Sequence, residues 1–140
     1  MLTNIYAALP SDAESINKDP VSNQWPRLEF NGLDNAALAA LLFALGENDN
    51  GKALEGEDCL VFSDDKSGPW IFHLPESLRN IMSDLNENEV TPLAERWVKQ
   101  EELAFNKLSA SDVLPIIETL RDFSIKALKD NQQLMLWMCL

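Results

Sequence analysis

The stretch Leu134-Met135-Leu136-Trp137-Met138-Cys139-Leu140 decides the fold, because seven successive apolar residues leave it no polar side. A strand that is apolar on both faces has to be covered on both faces. An exposed edge strand of this kind would also be an aggregation hazard. The stretch therefore predicts a central strand of a sheet, with the rest of the chain arranged around it.

Further strands are predicted at residues 4–9, 59–62 and 70–74, and the turn-forming residues between the last two indicate a hairpin. The segment 36–45 is apolar all round and predicts a core helix, capped by Asp34 or Asn35. Further helices are expected after Ser11, after Pro75, from Thr91 to about Lys107, and from 109–112 to Asp130. The sum is one α+β domain over residues 1–140, with about four largely antiparallel strands and four or five helices.

Composition excludes several classes of function. The 140 residues include 23 Asp and Glu against 11 Lys and Arg, a net charge of −12, which disfavours nucleic-acid binding. No apolar stretch is long enough to span a membrane, and no secretion signal is evident. With two cysteines and one histidine, the sequence predicts no disulfide framework and no metal cage. It has no glycine-rich phosphate loop either, so no cofactor is expected.

The acidic charge is concentrated in residues 47–89, which carry a net charge of −8. Such a segment is either a solvated loop or an electrostatic surface for a basic partner protein. A large aromatic residue in an exposed loop is the type that anchors an interface, and Trp25 stands in such a loop. The predicted partner-binding residues are Trp25, Asp49, Glu55, Glu57, Asp58, Asp64 and Asp65.

Two other constellations are candidates for chemistry. In a continuous helix, Glu101 falls on the same arc as Leu93 and Trp97, which predicts a buried carboxylate that serves as a structural acceptor or as a general acid or base. Cys59 and His73 lie near the far ends of the hairpin and are either a thiolate–imidazole pair or ordinary packing residues. The structural alternative is favoured for both.

Short motifs carry a resemblance over most of the chain. They are Leu74-Pro75, Leu93-Ala94-Glu95-Arg96-Trp97 with Glu101-Glu102, and Leu136-Trp137-Met138-Cys139-Leu140. This layout resembles a group of small uncharacterised bacterial proteins, which are similar to the immunity proteins encoded beside bacterial toxins. The resemblance implies a non-enzymatic cytoplasmic protein that covers the basic active-site surface of a toxin, and it transfers no residue roles.

Two alternatives from other classes remain open. One is a small enzyme that uses Glu101 or the Cys59 and His73 pair. The other is a self-associating structural protein, a homodimer whose contact face is the apolar helix 36–45 or the final strand.

Overall fold

The computed structural model describes residues 1–64 and 68–140, apart from the side chain of Phe105. Over these residues the chain forms one antiparallel sheet of five strands together with seven α-helices and a short 3-10 helix at Pro10–Asp12. The strands are β1 (Leu2–Ala8), β2 (Arg27–Asn31), β3 (Leu60–Ser63), β4 (Trp70–His73) and β5 (Gln133–Cys139). The helices are α1 (Ala13–Lys18), α2 (Asn35–Ala44), α3 (Asn48–Glu55), α4 (Glu76–Ser83), α5 (Glu87–Val98), α6 (Glu101–Phe105) and α7 (Ala110–Lys129). The predicted α+β class is confirmed, with more strands and helices than expected.

Strand β5 is the central strand of the sheet, as its apolar sequence predicts. The strand order is β2-β1-β5-β4-β3. β5 pairs with β1 from Cys139 opposite Leu2 to Gln133 opposite Ala8, and with β4 on its other side. The five interior residues of β5 are all buried. The β3–β4 hairpin is confirmed as well, although part of its turn lies outside the described residues.

Helix α2 is the helical centre of the core. The Asp34 carboxylate caps its start by accepting a hydrogen bond from the Ala37 amide at 2.8 Å. Leu38, Leu41 and Leu42 are fully buried beneath the surrounding helices. Most apolar residues of α2 and β5 are buried within the fold, although Ala36 and Phe43 of α2 are only half-buried.

The two faces of the sheet are covered unequally. One face carries Ile5, Leu136 and Phe72, which belong to the main core with the larger helices. The opposite face carries Tyr6 and Met135 and belongs to a small second core, to which the segment between β1 and β2 contributes Ile16 and Trp25. The region of this second face around the start of β1 is therefore left more open.

Three elements differ from the expectations. Strand β2, at the edge of the sheet, is an additional strand in which polar and apolar residues alternate. Helix α3 lies within the acidic segment 47–89, for which a solvated loop was one of the two expectations. Helix α5 begins at Glu87 after Asn86, four residues before the predicted Thr91 start, so that Pro92 lies inside the helix.

Candidate functional site

A cleft with three carboxylates on its rim lies where α2, α3 and α6 meet. Its volume is about 440 Å³, and its floor is formed by small and aromatic side chains of α2. We call it the acidic cleft, and its lining residues are Ala36, Ala40, Phe43, Glu55, Gln100, Glu101 and Glu102. Concave sites of this size are typical of ligand or anchor-residue binding.

The floor of the acidic cleft follows from the spacing of small residues on α2. Ala36 and Ala40 are four positions apart, so they lie one above the other on the same side of the helix. Because neither side chain extends beyond Cβ, the helix surface has a trough between its larger neighbours. Phe43, three positions after Ala40, also lines the cleft and is half-buried.

Glu55 is positioned by close packing of α3 on α2. The Asn35 side chain donates a hydrogen bond to the Leu54 carbonyl at 3.1 Å, which fixes the C-terminal end of α3 beside the start of α2. Gly51 permits the approach, since a Cβ built there would lie 2.6 Å from a ring carbon of Phe43. The exposed Glu55 carboxylate therefore stands at the rim of the cleft.

Glu101 is exposed, and the prediction that it faces the core is wrong. The helix is not continuous here: α5 ends at Val98, and Gln100 takes an extended conformation with ψ of 144° before α6 begins. The break changes the phase of the helix, so that Leu103 is buried while Glu101 and Glu102 reach the cleft. No glycine stands at the junction to mark the break in the sequence.

Four other predicted acidic residues are exposed but lie outside the lining of the cleft. Asp49, Glu57, Asp58 and Asp64 are all exposed, whereas Asp65 lies outside the described residues. Of the predicted acidic set, the structure brings Glu55 into the acidic cleft. Glu101 and Glu102, which join it there, lie outside the acidic segment 47–89.

Trp25 is buried, with 6% of its surface exposed, so the prediction that it stands exposed in a loop as an interface anchor is wrong. Its ring belongs to the second core with Tyr6 and Ile16. The residue follows a segment rich in turn-forming residues, which suggested exposure. The segment instead folds back over the sheet, and the indole covers the apolar face that the helices leave open.

Cys59 and His73 are neighbours through their backbones, where the His73 amide donates to the Cys59 carbonyl at 2.8 Å. The His73 ring is hydrogen-bonded to the Gln133 side chain, whose amide nitrogen donates to Glu76 at 3.1 Å. Burial, and after it the charge of Asp58, raises the pKa of the Cys59 thiol. A raised pKa disfavours the thiolate, so this environment does not activate Cys59 as a nucleophile.

The three rim carboxylates are too dispersed to form a metal centre. Within the described residues, no group of three His, Cys, Asp or Glu side chains is placed to hold a metal ion. No described helix is long and apolar enough to cross a membrane. The acidic cleft can instead offer separate acceptors to one or more cationic groups.

Comparison with protein-family models, curated proteins and solved structures finds no match to this chain.

Proposed function

We propose that this chain is a non-enzymatic binding protein of the bacterial cytoplasm that neutralises a cognate toxin by covering its basic active-site surface. The observation that carries the proposal is the acidic cleft, whose rim carries Glu55 from α3 and Glu101 and Glu102 from α6. An inhibitor of this class needs no catalytic group of its own. It needs a surface of opposite charge to the partner and at least one concave anchor point.

The chemistry of the cleft suits a lysine or arginine side chain of the partner. The cationic head would be hydrogen-bonded by the rim carboxylates, as in other charge-assisted pairs. The aliphatic stem would lie on the small alanines and the Phe43 ring, which also attracts a cation through its π face. The net charge of −8 over residues 47–89 would accelerate the encounter with a basic protein.

The experiment begins with affinity capture from the native bacterial extract at low salt, followed by a salt gradient and mass spectrometry. A stoichiometric basic protein is expected, and addition of this chain should abolish the toxic activity of that protein. Release by salt is expected because electrostatic attraction between exposed charges is screened. A captured protein whose activity is unaffected by this chain would contradict the inhibitor proposal.

The matched variants test whether the acidic cleft is the contact. The cleft variant is Glu55→Gln, Glu101→Gln and Glu102→Gln, and the control variant is Glu14→Gln, Glu118→Gln and Asp122→Asn, all at exposed positions. Both remove three negative charges, so the two variants have the same net charge. The cleft variant should weaken binding about tenfold or more, and the control should bind almost as the wild type does. Equal affinities of the two variants would exclude the acidic cleft as the contact with the partner.

A second candidate function, a small hydrolytic enzyme, is favoured by the exposure of Glu101 in a cleft beside other carboxylates. Paired carboxylates are the groups that act as acid and base in hydrolysis. Single-residue variants distinguish the two candidate functions. For an enzyme, one of Glu101→Gln and Glu102→Gln should abolish turnover while the other is mild, whereas for a charge-based binder both should lower affinity to a similar degree.

A further inference from the structure

The two edges of the sheet differ in how well they are protected against pairing with a further strand. Strand β3 carries a bulge between Leu60 and Phe62, and helix α1 contacts it. Strand β2, at the other edge, pairs with β1 in unbroken register over all five of its residues and contains no proline. Because bulges, prolines and covering elements are what usually protect an edge strand, β2 is the less protected edge.

The free edge of β2 presents a row of backbone groups without partners. The Ala7 amide donates to the Pro26 carbonyl at 3.0 Å, which makes these two residues a hydrogen-bonded pair. Such pairs alternate along an antiparallel ladder, so every second residue from position 26 onward points its backbone groups towards β1. The N–H and C=O groups of Arg27, Glu29 and Asn31 therefore point outward. In the part of the chain that the structure describes, no hydrogen bond reaches them.

The side chains of β2 give this edge one polar and one apolar side. Arg27 and Glu29 lie on the face of the sheet that carries Tyr6, because Arg27 is opposite Tyr6. Leu28 and Phe30 lie on the face of the main core and are only half-buried against it. A strand added at this edge would pair the outward backbone groups and cover the remaining apolar surface of Leu28 and Phe30.

The charges of β2 are complementary to those of a second β2 strand. Within one chain, the Arg27 guanidinium donates to the Glu29 carboxylate at 2.9 Å. When two β2 strands pair antiparallel about Leu28, Arg27 of each copy lies opposite Glu29 of the other. The four charges then alternate in sign, and the two Leu28 side chains meet on the other face, both of which are favourable cross-strand arrangements. Pairing about Glu29 would instead oppose two carboxylates, which is destabilising.

The distribution of charge over the molecule also favours this edge as the contact between two copies. Two chains with a net charge of −12 repel each other, and the repulsion is strongest where the acidic residues lie. The acidic segment 47–89 contains β3 and β4, which lie on the far side of the sheet from β2. Beside β2, Lys126 of α7 lines the same open space as Arg27 and Glu29, so positive charge balances negative charge there.

We propose that the β2 edge binds the β2 edge of a second copy of this chain, which joins the two sheets into one continuous sheet about a twofold axis. The backbone groups of Arg27 and Glu29 exchange hydrogen bonds between the copies. No residue that lines the acidic cleft belongs to β2, so this proposal does not rest on the function proposed for the cleft.

Sedimentation velocity over a range of protein concentrations tests the dimer directly. A reversible equilibrium between monomer and dimer is expected at micromolar concentrations, as for other contacts of modest area. A wild-type chain that stays monomeric up to the millimolar range would overturn the proposal.

Variants at Glu29 test where the contact lies, with circular dichroism to check that each variant is folded. Glu29→Pro removes one outward N–H but keeps the pairing with β1, because proline is accepted on the open side of an edge strand. Glu29→Arg places two guanidinium groups opposite each other. Each should weaken dimerisation about tenfold or more, whereas Glu118→Arg makes the same charge change at an exposed position of α7 and should not weaken it. A dimer that survives both Glu29 variants would lie elsewhere and would overturn the proposal.

A mixing experiment tests the register about Leu28. Arg27→Glu and Glu29→Arg should each be monomeric alone, because like charges face each other in both homodimers. Mixed in equal amounts, the two variants should form a heterodimer, since every opposing pair then has opposite charges. A mixture of the two folded variants that stays monomeric would contradict the proposed pairing.

Discussion

The indole N–H of Trp97 donates a hydrogen bond to the carbonyl oxygen of Ala37 at 3.0 Å. The contact joins α5 to the first turns of α2, 60 positions apart in sequence, and the Trp97 side chain is fully buried. Arg96 adds a second link by donating to the Ala44 carbonyl at the other end of α2, also at 3.0 Å. The helix that carries the floor of the acidic cleft is thus fixed at both ends by neighbouring residues of α5.

Trp97→Phe should lower the free energy of unfolding by about 1–3 kcal/mol, since it removes a buried donor and leaves part of the ring volume empty. Trp97→Ala should cost more, about 3–5 kcal/mol. Urea denaturation followed by circular dichroism measures both values. Ile125→Ala, at an exposed position of α7, is the control and should change stability little. A Trp97→Phe variant as stable as the wild type would contradict the role assigned to this contact.

Gly51→Ala should destabilise the protein, although alanine is normally the better helix former. A Cβ at position 51 would lie 2.6 Å from a ring carbon of Phe43, so the ring or one of the two helices has to shift. Overpacking of this kind costs about 1–3 kcal/mol, which exceeds the gain of about 1 kcal/mol in helix propensity.

The sign of the Gly51→Ala effect tests this explanation. In a Phe43→Ala background the obstructing ring is absent, and Gly51→Ala should then stabilise the protein by about 0.5–1 kcal/mol. A double-mutant cycle by urea denaturation measures the difference. If Gly51→Ala has the same effect in both backgrounds, the close approach of α3 to α2 does not depend on the glycine.

Much of the fold could be predicted because its strongest signals are local. The apolar run of β5 predicted its central place, and the turn residues before Trp70 predicted the β3–β4 hairpin. Strand β2 was missed because an edge strand with one polar face has few apolar residues to reveal it. Helix α3 was missed because its polar residues suit a loop equally well, and tertiary packing on α2 decides between them.

The candidate site could be predicted only in part. Glu55 was identified from the concentration of acidic residues, but its convergence with Glu101 depends on a helix break that no glycine marks. A helical-wheel argument assumes one continuous helix, and a single extended residue at Gln100 changes the phase of everything after it. Trp25 was misplaced for a related reason: a loop that covers an open sheet face is buried despite its polar composition.

Cys59 should react slowly with iodoacetamide in the folded protein. Burial raises the pKa of its thiol, with a further contribution from Asp58, so the reactive thiolate is scarce near neutral pH. In a Cys139→Ser background, the pH at which alkylation becomes fast should lie above that of the urea-unfolded chain. Asp58→Asn should lower this pH in part, because burial remains the larger cause.

The same shift of the Cys59 pKa has a consequence for stability. A thiol whose pKa is raised by folding contributes stability below the unfolded pKa, and the contribution is lost as the pH rises through the folded pKa. Cys59→Ala should therefore flatten the alkaline part of the stability profile. Rapid alkylation of Cys59 at neutral pH would contradict this environment and would return the Cys59 and His73 pair to consideration as a catalytic site.

Asp112 should titrate below the ordinary range of an aspartate. Its carboxylate accepts hydrogen bonds from the Ser109 amide at 2.8 Å and from the Ser109 hydroxyl at 2.9 Å, and these bonds lower its pKa, the backbone bond most. Ser109→Ala removes the hydroxyl alone, so the pKa should rise only part of the way towards the ordinary value. Carboxyl ¹³C resonances followed against pH measure both titrations.

The lowered pKa of Asp112 also sets the direction in which acid acts on α7. The carboxylate contributes stability above its unfolded pKa, and this contribution is lost as the pH falls through the lower folded pKa. Asp112→Asn should therefore remove part of the acid dependence of unfolding, whereas Asp122→Asn, on an exposed turn of the same helix, should keep it. Two variants with identical acid profiles would show that the Ser109 and Asp112 bonds do not hold the start of α7 in solution.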